Sequence, residues 1–172
     1  MGTEIKKLPL VLILLAVFGR LLPHIPNMAP VAAVSLFGAA YLPRKFALII
    51  PLASLIISDL FLGFYGFTMF FVYSGFILTG IIGLSIRNKI TPYTILGGSL
   101  AASSVFFLLS NFGVWANPNS WYSKDLNGLI QCYIAAIPFF RNTLVGDLIY
   151  VSGIFGAYQL LQSFSRRLLL LK

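Results

Sequence analysis

Phe67-Thr-Met-Phe-Phe-Val-Tyr-Ser-Gly-Phe-Ile-Leu-Thr-Gly-Ile-Ile-Gly-Leu-Ser-Ile86 runs for twenty residues without a charge, and Arg87-Asn88-Lys89 ends it. At 1.5 Å per residue, such a helix covers a hydrocarbon core of about 30 Å. Working outward, the same texture repeats. Apolar runs at 8–22, 29–42, 46–63, 92–112 and 142–164 are separated by short breaks rich in Pro, Gly, Lys and Arg. The 172 residues are 59% hydrophobic and 9% charged. A soluble domain carries roughly a quarter charged residues, so the deficit is too large for a wetted globular surface. The expectation is an all-α, polytopic membrane bundle of six transmembrane helices in a single domain over 1–172.

The net charge of +8 would suggest nucleic acid in a soluble protein. Here the cations sit in the breaks between apolar runs, which is a topology signal, and no nucleic-acid partner is expected. The second run is short, about 21 Å as a helix, and reads as either a span or a re-entrant segment. Charge arbitrates. Six spans put Lys6, Lys7, Arg44, Lys45, Arg87, Lys89, Arg166, Arg167 and Lys172 on one side, leaving Lys124 and Arg141 opposite. The positive-inside rule then places both ends in the cytoplasm. Lys6-Lys7 followed by an apolar run has the look of a signal peptide, but no small-residue cleavage site follows, so the run reads as a retained first helix. The outer loop, 113–141, contains an apolar stretch at 129–140 that reads as an interfacial helix or as loop.

Ionisable groups inside a membrane cost roughly 2.5–3.5 kcal/mol each and are functional candidates by default. With this topology Arg20, Asp59, Arg141 and Asp147 all fall toward the outer side. Asp59 lies about 20 Å from the inner end of its helix, and Asp147 about 9 Å below Arg141. Helical spacing aligns Ser104, Leu108, Asn111 and Trp115 on one stripe, and Thr143, Asp147 and Tyr150 on another. The loops add His24, Asn27, Asn117, Trp121 and Tyr122, and Asn142 opens the last run. Together these residues predict an outward-opening polar pocket, with Arg20, Arg141 and Asn111 holding anionic or carbonyl groups. Asp59 and Asp147 would accept hydrogen bonds or pair with the arginines, and Trp115, Trp121 and Tyr122 would close the mouth. The bland alternative is a set of structural ion pairs, Arg20–Asp59 and Arg141–Asp147, with the aromatics as interface anchors. Small residues at Ala29 and Ala33, Ser35 and Ala39, and Gly153 and Ala157 would let helices approach closely, most simply inside the bundle and more pointedly as a partner-docking face.

Several chemistries are absent. No P-loop, H-E-x-x-H motif or nucleophile elbow occurs. One histidine and Cys132 as the one cysteine exclude a disulfide and argue against a metal site; no cofactor is expected. Gly146-Asp147 is part of the G-x-G-D pattern of intramembrane aspartyl proteases, but position 144 is Leu, so the motif is not met and an enzyme is not expected.

The segment from Ala29 to Ala40, then Ile56-Ile-Ser-Asp59-Leu, then Ile137-Pro-Phe-Phe and Gly146-Asp147-Leu-Ile, resembles the S components of energy-coupling-factor (ECF) transporters. Two departures stand out: Tyr150 replaces the lysine usual after the last motif, and the small-residue segment opens the second helix rather than the first. The run from Arg20 to Pro30 also resembles a family of uncharacterised membrane proteins with the pattern R-x-x-P-H-x-P-N-x-x-P. The ECF resemblance implies a binding subunit of the bacterial plasma membrane for uptake of a small polar nutrient, such as a vitamin-like ring compound. It also implies docking on a transmembrane coupling (T) subunit and two separate ATPases. The alternative is a non-transporting membrane scaffold of MreD-like fold.

Overall fold

The computed structural model describes residues 2–170, and side-chain surroundings over residues 7–164. Lys172 and the side chains of Lys6, Arg166 and Arg167, all used in the charge reading, lie outside the described residues. Six helices follow one another: α1 Gly2–Leu21, α2 Val31–Tyr41, α3 Phe46–Leu62, α4 Phe67–Ile86, α5 Pro92–Ala116 and α6 Leu126–Leu170. Among the described residues there is no strand.

The bundle is organised around its shortest helix. Every residue from Val31 to Ala40 is buried, and α2 packs against all five other helices. A helix that is apolar all round belongs inside, because it has no face that favours water. Its length, about 16 Å, is well short of a hydrocarbon core. Phe37 meets Tyr41 in α2, and Phe155 and Tyr158 on α6, at centroid distances of 4.8, 5.2 and 5.1 Å. The carbonyl at the end of α2, that of Leu42, accepts a hydrogen bond from Arg87 Nη1 at 2.8 Å. A guanidinium in that place complements the negative end of the helix dipole.

This arrangement corrects the docking expectation. Ala33, Ser35 and Ala39 have no exposed surface, because the chain's own helices cover them. Ala29 lies before α2 and is half-buried. Ala33, Ser35 and Ala39 are therefore packing contacts inside the bundle, whereas Gly153 and Ala157 on α6 are exposed.

The second correction concerns α6. The sequence reading breaks the chain at the outer loop and starts its last helix at Asn142, whereas α6 is continuous from Leu126 through Pro138 to Leu170. Proline removes one backbone donor, and a run this apolar offers the freed carbonyl no competing solvent, so helix propagates through it. The loop contracts to 117–125. Asp125 stands in the N-cap position, accepting from Gly128 N–H at 2.7 Å and Ser123 Oγ at 2.8 Å. These donors hold its carboxyl below the usual range.

Among the described residues, three helices, α4, α5 and residues Leu126–Phe164 of α6, are long and apolar enough to cross a membrane; α2 and α3 are apolar and shorter. The outer surface is oily. Leu60, Phe61 and Phe70 are 64%, 74% and 70% exposed, while Ser54, Ser58, Asp59, Thr79, Ser99 and Ser103 are buried. A water-soluble fold inverts that distribution. Most of the buried hydroxyls return their proton to a carbonyl one turn back, as Ser54 does to Ile50 at 2.7 Å and Thr79 to Gly75 at 3.1 Å.

Candidate functional site

Two polar centres border one cavity of the bundle. The first joins the last turns of α1 and α3, which pack side by side. Arg20 Nη1 donates to Ser58 Oγ at 2.6 Å, and Arg20 Nη2 lies 2.8 Å from Asp59 Oδ1. The approach to Oδ1 is too oblique for an aligned hydrogen bond, so that contact is electrostatic. On the other oxygen, Tyr73 Oη donates to Asp59 Oδ2 at 2.9 Å and Tyr65 Oη at 3.4 Å. Asp59 is wholly buried. Burial and the neighbouring Asp59 charge push the Tyr65 phenol up to about 12, so it stays a donor. Gly63 and Gly66, at φ 90° and 63°, make the turn that returns Tyr65 toward Asp59; a side chain at either φ is strained.

The second centre joins α5 and α6. Ser103 Oγ donates to Asp147 Oδ2 at 2.6 Å. Asp147 is 4% exposed, and among the described residues no cation lies within ion-pair distance of it. Thr143, one turn earlier, is buried on the same face.

Between the centres lies a cavity of about 350 Å³. Arg20, His24 and Asn27 line it from the end of α1 and the Pro-rich loop, Val31 and Ala32 from α2, and Leu62, Val72, Phe76 and Phe106 from α3–α5. Thr143 and Asp147 complete it from α6. A second chamber, about 260 Å³, shares Asn27, Val72, Phe106 and Thr143 with the first and adds Asn111, Ser110 and Thr68. Phe76 and Phe106 stand 4.7 Å apart, and Phe107 and Phe140 4.5 Å apart. Asn27 adopts φ 65°, a conformation asparagine tolerates better than most residues. Apolar walls with a few convergent polar groups are common to small-molecule sites.

The family model described as "Family of unknown function (DUF6580)" matches residues 4–168. The chain belongs to this family. Neither the curated proteins nor the solved structures contain a match to it.

In this DUF6580 chain, Arg20, His24, Asn27, Asn111 and Asp147 line the cavities as the sequence reading expects. Asp59 stands behind Arg20 as its counter-ion and lines neither chamber. Of the two ion pairs of the alternative reading, Arg20–Asp59 forms and, among the described residues, Arg141–Asp147 does not. Six residues along a helix is about a third of a turn out of phase, and Arg141 is exposed beside a separate hollow with Asn142, Ile25 and Met28. Asn142 Nδ2 donates to Pro26 O at 3.2 Å, tying α6 to the Pro-rich loop.

The aromatic loop does not roof the site. Trp121 is fully exposed, and neither it nor Tyr122 lines a chamber. Trp115 Nε1 donates to Ser123 O at 2.9 Å, Asn117 Nδ2 to Thr68 Oγ1 at 3.3 Å, and Lys124 Nζ to the carbonyls of Trp115 and Asn117. These contacts close the end of α5. The serine facing Asp147 is Ser103, while Ser104 points outward. Ser99, Ser103 and Ser110 at helical spacing were the signal for that face. Among the described residues no three metal-ligating side chains gather.

Proposed function

We propose that this chain is a six-span membrane protein with both ends in the cytoplasm, acting as the binding subunit for uptake of a small polar nutrient. A separate coupling (T) subunit and two ATPases supply the energy, as in the ECF transporters its motifs resemble. The cavity carries the reading. Arg20, Asn27, Asn111, Thr143 and Asp147 converge on it from distant parts of the chain, in a bundle whose surroundings would otherwise expel them. The segregation of Arg44, Lys45, Arg87 and Lys89 from Lys124 and Arg141 supports the topology. The closed Arg20–Asp59 pair favours the second reading, an MreD-like scaffold. Asp147, held by one hydroxyl and open to the cavity, favours binding. The carboxylates have separate partners, an arrangement unlike a two-aspartate hydrolytic site.

Native mass spectrometry of the full chain, gently extracted, is expected to detect a retained small molecule. Asp147→Asn and Asn111→Ala should each reduce its occupancy, the former by about tenfold or more, since a hydrogen bond to a charged group is worth about 1.5–3 kcal/mol. Retention unchanged in both variants, or no retained molecule, sinks the binding reading. Topology is checked with single cysteines on a Cys132→Ser background. Asn119→Cys should react with a membrane-impermeant thiol reagent in intact cells and Asn88→Cys should not; equal reactivity rejects six spans.

A further inference from the structure

Resting on the binding-subunit reading, we infer that the ligand is an organic cation of about one ring: a protonated amine or a positively charged nitrogen heterocycle. The inference follows from the charges around the cavity. Arg20 and His24 are the basic side chains on its lining; His24 Nδ1 lies 2.7 Å from the Leu22 carbonyl oxygen, and Asp59 already neutralises Arg20 at 2.8 Å while Ser58 takes another of its donors. Its charge is therefore spent within the protein, and an anionic ligand would compete with a buried carboxylate for it.

Asp147 is the opposite case. It lines the cavity, receives one hydrogen bond from Ser103, and has no cation within ion-pair distance among the described residues. A buried carboxylate without a partner charge is costly, and a cation brought beside it stabilises its ionised form. The rest of the wall suits the same chemistry. Phe76 and Phe106, 4.7 Å apart, border the chamber that holds Asp147, and aromatic faces attract cations most strongly where water is excluded. A volume of about 350 Å³ lies at the small end of ligand sites.

Three probes share a pyridine ring and differ in charge: nicotinate, nicotinamide and ring-N-methylated nicotinamide. Titrated calorimetrically into the purified full chain in a non-ionic detergent, the methylated cation is expected to bind at least about tenfold more tightly than the other two. Asp147→Asn should abolish that preference and Asp147→Glu should retain much of it, with both variants melting cooperatively. A preference for nicotinate or nicotinamide overturns the cationic assignment and leaves the binding-subunit reading standing. Failure of the methylated cation to bind also overturns it, and the binding reading is then decided by the search for a co-purified molecule. A preference surviving in Asp147→Asn overturns the assignment to Asp147.

Discussion

Arg20→Ala is expected to destabilise the protein by about 3–5 kcal/mol, the usual cost of removing one partner from a buried ion pair. Asp59 has no exposed surface, so loss of the guanidinium leaves a buried carboxylate without its partner charge. The Tyr73 and Tyr65 hydroxyls still donate to Oδ2, but hydroxyl dipoles do not replace a full charge at Oδ1. The last turns of α1 and α3 must then rearrange to solvate it. Arg20→Met with Asp59→Leu should recover most of the loss, because replacing both members by apolar residues removes the desolvation cost along with the attraction. Thermal unfolding of the detergent-solubilised variants measures both effects. A single-variant loss below about 1 kcal/mol would mean that the pair behaves as a solvent-screened surface bridge, and the account of the first polar centre would be wrong.

The bundle was legible in the sequence wherever hydropathy alone decides. Apolar runs bounded by Arg and Lys or by Gly and Pro mark α3, α4 and α5 to within a few residues. The sequence misleads where two signals conflict. Pro138 and Arg141-Asn142 look like a loop, yet neither ends α6. The small residues of α2 carry equal information for an inner and an outer face. Burial on every side resolves them inward, and no local pattern distinguishes the two because α2 is apolar all round. By contrast Gly153 has open space beside it. The Arg20–Asp59 pair was readable from depth and charge. Asp147's partner, Ser103, is not on the stripe read for α5, which runs through Ser104, about 100° away around the helix. Trp121 and Arg141 were drawn into the site by residue type, and only the phase of α6 and the brevity of the loop exclude them.

Gly80→Val is the second substitution expected to be severe, and a comparison within the same bundle isolates its cause. A Cβ at Gly80 would lie 2.1 Å from the carbonyl oxygen of Ala47 in α3. The obstacle is backbone, so no rotamer change relieves it, and α3 and α4 must move apart. Overpacking of a tight core costs about 1–3 kcal/mol, occasionally more, and separation here also loosens α2, which packs against both helices. At Gly97, on α5, an added Cβ meets nothing within 4 Å. Helix propensity favours alanine over glycine by up to about 1 kcal/mol at either position. Gly97→Ala should therefore be neutral or mildly stabilising, whereas Gly80→Ala should already destabilise and Gly80→Val more so. Gly83 supplies the compensating experiment. Its Cβ would approach the Ala39 methyl to 2.6 Å and the Leu36 carbonyl to 3.0 Å. Ala39→Gly combined with Gly83→Ala moves one methyl across the α2–α4 contact and should restore part of the stability lost in Gly83→Ala alone, a non-additivity expected only of residues that touch. Melting temperatures of the four proteins decide the matter: strict additivity would mean that α2 and α4 are not in contact at this level, and the buried position of α2, on which the cavity wall depends, would have to be abandoned.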